Sequence, residues 1–223
     1  MKFVNIFLIL ILALTAACCS KIDNYSAPNA GLTGTITDNT TNKGLQSEQP
    51  NGYRIRLIEA GYPVPLDFWG KADGTFKNTQ LFADKYKVIP IEGPFLAPDT
   101  AIVTISGLTT VNFNVIPFMT ITATAPLVSG KNVIVKYTLS KPSQVTDDIV
   151  RSITMAAKVL AVSNSVNDYS VSRDLSGMTY PTITGTQFSD TLKNLPSGTI
   201  YVRVGGKTSN GLGKYNYSNL SSI

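Results

Sequence analysis

The stretch Tyr53-Arg54-Ile55-Arg56-Leu57 alternates apolar and cationic residues one by one. Successive side chains of a strand point to opposite faces, so the segment reads as a half-buried β-strand with Tyr53, Ile55 and Leu57 inward and the arginines outward. The same period of two puts Val133, Val135, Tyr137 and Leu139 on one face of a later strand, and Ile200, Val202 and Val204 on one face of another. Turn-forming residues punctuate these runs at Pro50-Asn51-Gly52, Asp73-Gly74, Gly93-Pro94, Ser129-Gly130 and Pro196-Ser197-Gly198. No long window carries a 3.6-residue apolar period. Many short strands separated by turns predict an all-β chain built as sandwiches.

The 223 residues suffice for two such domains, each of about a hundred residues. Val111 to Ile116 reads as the closing strand of one unit, and Met119-Thr120-Ile121-Thr122 as the opening of the next, with Pro117 at the boundary. The expected sandwiches are residues 31–117 and 118–223. Composition agrees. Only 15% of positions are charged, against roughly 25% in ordinary soluble domains, a balance that suits strands and turns.

Ahead of the sandwiches, Met1-Lys2 is followed by an apolar stretch from Phe3 to Leu14 broken only by Asn5, then by Thr15-Ala16-Ala17-Cys18. A basic start, an apolar middle and small residues before a cut are the layout of a secretory signal. The apolar part is shorter than the roughly 20 residues of a membrane span. Small residues directly before a cysteine resemble a bacterial lipobox. That resemblance implies a signal peptide of residues 1–17, cleavage between Ala17 and Cys18, and lipid on Cys18, with cleavage at Cys19 or ordinary secretion as the alternatives. Residues 18–30, polar after the cysteines, then read as a flexible tether. Cys19, where an aspartate would signal inner-membrane retention, favours the outer membrane. The expected partner at this end is a membrane, reached through the lipid.

The remaining composition narrows the chemistry. With no histidine, the chain lacks the commonest general base and the usual nucleophile triads. Both cysteines lie at the leader junction, so the sandwiches have no disulfide and no thiolate metal site. Lys and Arg exceed Asp and Glu by 19 to 14, but they are scattered singly, which argues against nucleic acid. No catalytic residue, metal site or cofactor is expected.

In the first unit Gly34-Thr35-Ile36-Thr37-Asp38, Asp73-Gly74-Thr75-Phe76 and Tyr86-Lys87-Val88 follow one another in the order of a carboxypeptidase regulatory-like, transthyretin-like sandwich, with Asp73-Gly74 as its hairpin turn. With Glu48 to Ile55, Leu81-Phe82 and Glu92-Gly93-Pro94-Phe95 added, the chain from Gly31 to Ile223 resembles the Bacteroidetes family DUF3823. The second unit, with Leu192 to Thr199 leading into Ile200 to Val204, resembles a fibronectin type III or immunoglobulin-like sandwich. The DUF3823 resemblance implies a lipoprotein serving a starch-utilisation-type outer-membrane glycan importer, and it brings no functional residues with it.

That setting makes glycan binding the leading expectation, and exposed aromatics its instruments. The lone Trp69 alternates with Phe68, so one of the two faces outward if this is a strand. Tyr62 stands in a proline-rich approach, Tyr215 and Tyr217 share one strand face, and Tyr180 precedes Pro181 in a loop. These five are the candidate glycan or partner contacts. Asp147 and Asp148 are the only adjacent acids, but neighbours on a strand diverge, which disfavours a glycosidase pair; they read as solvated loop charges. The alternative function is a structural or partner-docking module without glycan affinity.

Overall fold

The computed structural model describes residues 26–223; the expected leader and Cys18 lie outside them. The chain is nearly all β. Strand β1 (Ala30–Asp38) organises the first sheet, pairing antiparallel with β5 (Thr75–Leu81) and with the short β2 (Lys43–Gly44). It also pairs in parallel with β8 (Leu108–Thr110) and β9 (Phe113–Val115). The facing sheet is antiparallel throughout, in the order β4 (Tyr62–Trp69), β3 (Arg54–Glu59), β6 (Asp84–Ile91), β7 (Ala101–Ile105). The inward residues of β3 follow the alternation of the sequence. Tyr53, Ile55 and Leu57 are buried with Leu32, Ile36, Phe76, Tyr86 and Val88, while Arg54 and Arg56 take the outer face.

The expected Asp73-Gly74 hairpin is corrected. The turn itself forms: Gly74 has φ 85°, its N–H reaches Lys71 O at 3.1 Å, and Asp73 Oδ1 accepts from Thr75 N–H at 3.0 Å. The strands on either side, however, belong to different sheets, because β4 pairs with β3 and β5 pairs with β1. The left-handed glycine serves a sheet-to-sheet corner.

In the second half, β12 (Asn132–Ser140) carries β10 (Thr120–Ala123) and β11 (Leu127–Ser129) on one edge and β15 (Phe188–Leu192) on the other. The opposing sheet runs β14 (Tyr169–Asp174), β13 (Ile149–Ala157), β16 (Tyr201–Thr208), β17 (Tyr215–Tyr217), and β18 (Ser221–Ser222) also pairs with β16. One six-residue helix, α1 (Tyr180–Gly185), interrupts the strands. Val133, Val135, Tyr137 and Leu139 meet Ile200, Val202 and Val204 between the sheets, as their alternation predicts. The outer face of β13 is covered too: Ile153, Met155 and Ala157 pack under Val162, Tyr215 and Tyr217.

A polar group sits inside this second sandwich. The Asp190 side chain is fully buried, and its carboxylate accepts hydrogen bonds from Tyr137 Oη (3.0 Å), Thr154 Oγ1 (2.7 Å) and Arg173 Nε (2.6 Å). Three donors from three strands satisfy the charge where water cannot. Removing the carboxylate strands Thr154 Oγ1 and leaves Tyr137 with Ser152 alone and the Arg173 guanidinium with only the Ser189 carbonyl, its charge unpaired. Asp190→Ala should therefore lower unfolding free energy by about 3 kcal/mol, read from urea denaturation, and a loss below about 1 kcal/mol would show that water replaces the carboxylate without penalty.

Burial also pushes up the phenol pKa of Tyr53, Tyr137 and Tyr217, that of Tyr137 to about 12. The fold holds these groups protonated where the unfolded chain ionises, near pH 10. Their stabilisation is complete below about pH 10 and is lost as pH climbs through the folded values. Urea midpoints should thus fall between about pH 10 and pH 12, and a flat profile across that interval would contradict the burial of these hydroxyls.

Candidate functional site

The outer face of the β4–β3–β6 sheet gathers the charged side chains that the alternation of β3 turns away from the core. Cross-strand register sets Arg54 opposite Trp69 and Arg56 opposite Asp67 on one side, and Arg54 opposite Ile91 on the other. Arg56 grips Asp67 with two parallel bonds, Nε to Oδ1 and Nη2 to Oδ2, both 2.8 Å. Those bonds from Arg56 hold the Asp67 carboxyl below the usual carboxylate range. Arg54 reaches Asp67 Oδ2 at 3.2 Å and also pairs with Glu92, the residue just past β6. Its guanidinium lies over the Trp69 ring, 5.4 Å from the centroid.

A second cation arrives from the other half of the molecule. Lys214, just before β17, stands over the same ring at 5.7 Å and donates from Nζ to the carbonyl of Asn51 at 2.6 Å. Trp69 remains 44% exposed. Guanidinium and ammonium are both attracted to the electron-rich indole face, and both have their own anchors. The result is a half-exposed aromatic ring with two anchored cations close to it and carboxylates nearby.

The other predicted contacts scatter. Tyr62 is 59% exposed, but it lies at the far end of β4, beyond a shift in the β3–β4 register, and away from Trp69. There it begins an exposed apolar row with Val64 and Leu66. Tyr180 opens α1, not a loop, and its hydroxyl is latched between the backbone N–H and carbonyl of Lys141, both at 3.1 Å. Tyr215 and Tyr217 are corrected: each is 6% exposed, so neither offers a ring to a ligand. The connection after β13 covers them, with Asn164 N–H bonding Tyr217 Oη at 3.1 Å, and the Arg203 guanidinium sits 4.3 Å from the Tyr217 ring centroid. Cys18 lies outside the described residues.

The acids of the loop after β12 build nothing. Asp147 meets Asn210 at 3.4 Å, Asp148 engages Ser209 through its backbone, and no cluster of three metal-ligating side chains occurs among the described residues. Elsewhere, a cleft of about 480 Å³ opens between the β1–β2 turn, β10 and residues 216–221. Its walls mix hydroxyls and amides with the apolar Leu45, Met119 and Ile121, and its acid Asp38 caps the Thr40 N–H at 2.7 Å. Trp69 is not part of it.

Residues 30–116 match the family model described as the N-terminal domain of a protein of unknown function, DUF3823. Over that stretch the chain is similar to this family. Solved structures extend the likeness past the end of this match. A DUF3823 family protein from Bacteroides uniformis superposes with a TM-score of 0.76 at 22% identity, over 88% of this chain and 99% of that one. Another, from Parabacteroides merdae, gives 0.74 at 19% identity, over 89% and 100%. A candidate carbohydrate binding protein from Bacteroides uniformis gives 0.76 at 21% identity, over 88% and 99%. At these identities the likeness carries the fold, including the second sandwich. No curated protein matches the chain.

Within the matched residues lie Asn51, Arg54, Arg56, Asp67, Trp69 and Glu92; Lys214 comes from beyond them. Sequence reasoning placed both arginines outward but gave them no role, and nothing local pointed to Lys214. The glycine after Trp69 lets the chain pass close against the Tyr53 ring. A Cβ on Gly70 would fall 2.0 Å from Tyr53 Cζ, in a ring that is fully buried and donates its hydroxyl to Thr75 O at 2.9 Å. Gly70→Ala should cost about 1–3 kcal/mol of stability and shift the emission of the single tryptophan; a variant with native melting and native emission would show that Tyr53 yields freely.

Proposed function

We propose that this protein is a non-enzymatic, glycan-binding accessory of the bacterial cell envelope. It is tethered by lipid on Cys18 at the outer membrane, and it serves a starch-utilisation-type importer. The observation that carries the binding reading is the half-exposed Trp69 ring, approached by Arg54 and Lys214 with Asp67 and Glu92 beside it. A sugar presents a C–H face that stacks on indole and hydroxyls that bond to the charged rim. A ring already immobilised binds with less ordering cost than a mobile one. The candidate carbohydrate binding protein of the same fold supports this reading. The tether rests on the leader and the Ala17-Cys18 junction, where two or more acyl chains give stable anchoring.

A second reading, a module that docks a protein partner, draws on the row of Tyr62, Val64 and Leu66 along the exposed edge strand β4. Affinity gels separate the two. The chain from Ser20 onward, which retains every core residue, should be retarded by its polysaccharide, and Trp69→Ala should abolish that retardation with the circular dichroism spectrum unchanged. Full retention by a folded Trp69→Ala variant removes the ring from the site. Absence of retardation across a broad panel favours the docking module.

A further inference from the structure

The rim of Trp69 holds one more cation than anion. Arg54, Arg56 and Lys214 face Asp67 and Glu92, and both carboxylates are already engaged by the arginines. Lys214 has no carboxylate within salt-bridge distance among the described residues; its only hydrogen bond is to the neutral carbonyl of Asn51. An ammonium carries three donors, so two remain for a ligand. Lys214 is half-buried, which weakens its hydration and strengthens any ionic partner it finds there. Its nitrogen also stands over the ring on which a sugar would lie.

We infer that the ligand is an acidic glycan, one bearing uronate carboxylates, with a pyranose on Trp69 and a carboxylate of the same or the next residue paired to Lys214. The inference rests on the glycan-binding reading and specifies its substrate class. A neutral glycan offers Lys214 only hydroxyl oxygens, whereas a uronate gives its free donors an ionic partner and cancels the surplus charge. Because the ring comes from the first sandwich and the ammonium from the second, the ligand also bridges the two.

The test uses the chain from Ser20 onward and titration calorimetry with polygalacturonate and alginate, each beside its carboxyl-reduced counterpart, which keeps the backbone and removes the charge. For at least one pair the acidic form should bind about tenfold tighter, the scale of one charge-assisted contact. The preference should shrink as salt rises. Lys214→Met should erase it, and Trp69→Ala should weaken both forms. Equal affinity within every pair, a preference for the reduced forms, or selectivity that survives Lys214→Met overturns the acidic class and leaves glycan binding standing. Binding to no glycan of either charge, or full binding by Trp69→Ala, overturns the glycan reading at Trp69 and this inference with it.

Discussion

Arg203 places a guanidinium inside the molecule, 3% exposed. Its partners are neutral: Nε donates to Ser218 O at 3.2 Å, Nη1 to Val162 O at 3.3 Å and Nη2 to Gln46 Oε1 at 3.3 Å, above the Tyr217 ring. Burial lowers its pKa to about 10, so the group is still a cation at neutral pH. A buried charge persists only where hydrogen bonds and a polarisable face replace its water. That requirement draws β16, the connection after β13, the segment after β17 and Gln46 of the first sandwich to one point. Asn216 makes a neutral version of the same link, accepting from Met119 N–H at 3.1 Å and donating to Pro94 O at 2.9 Å. Lys214, two residues earlier, is thereby held beside Trp69.

The two kinds of polar contact have different weights. Pairs on the outer face of the first sandwich are partly solvated and contribute about 0–1 kcal/mol each, so they orient Trp69 more than they stabilise the fold. The buried groups, Asp190 in the second sandwich and Arg203 at the junction, are where a lost partner is expensive. Around Trp69 the charges lie where a ligand can reach them; elsewhere the inward alternation of β3 and β12 supplies the hydrophobic burial.

What was legible in the sequence was what a period of two can encode. It placed the inward faces of β3, β12 and the start of β16, because a strand's neighbours decide nothing about which of its own residues share a side. It could not tell whether a face is then covered. Tyr215 and Tyr217 do share a face, but the connection after β13 and Arg203 lie over it, and their approach is set by tertiary packing. Nor could turn chemistry name a partner strand: Asp73-Gly74 makes the same tight turn for a hairpin as for a sheet-to-sheet corner. Trp69 emerged from alternation with Phe68, whereas Lys214, remote in the chain, is brought to it only by the junction.

The charges around Trp69 suit the binding surface proposed for it. A glycosidase acid must keep its proton near neutral pH, which takes an apolar or anionic surrounding that raises its pKa. Asp67 experiences the reverse, held ionised by Arg56 with Arg54 adding to the effect, and Glu92 is paired to Arg54 as well. Carboxylates gripped by fixed guanidiniums make poor proton donors. They accept hydrogen bonds and keep an aromatic ring in place, and these are the two services that a sugar stacked on indole needs.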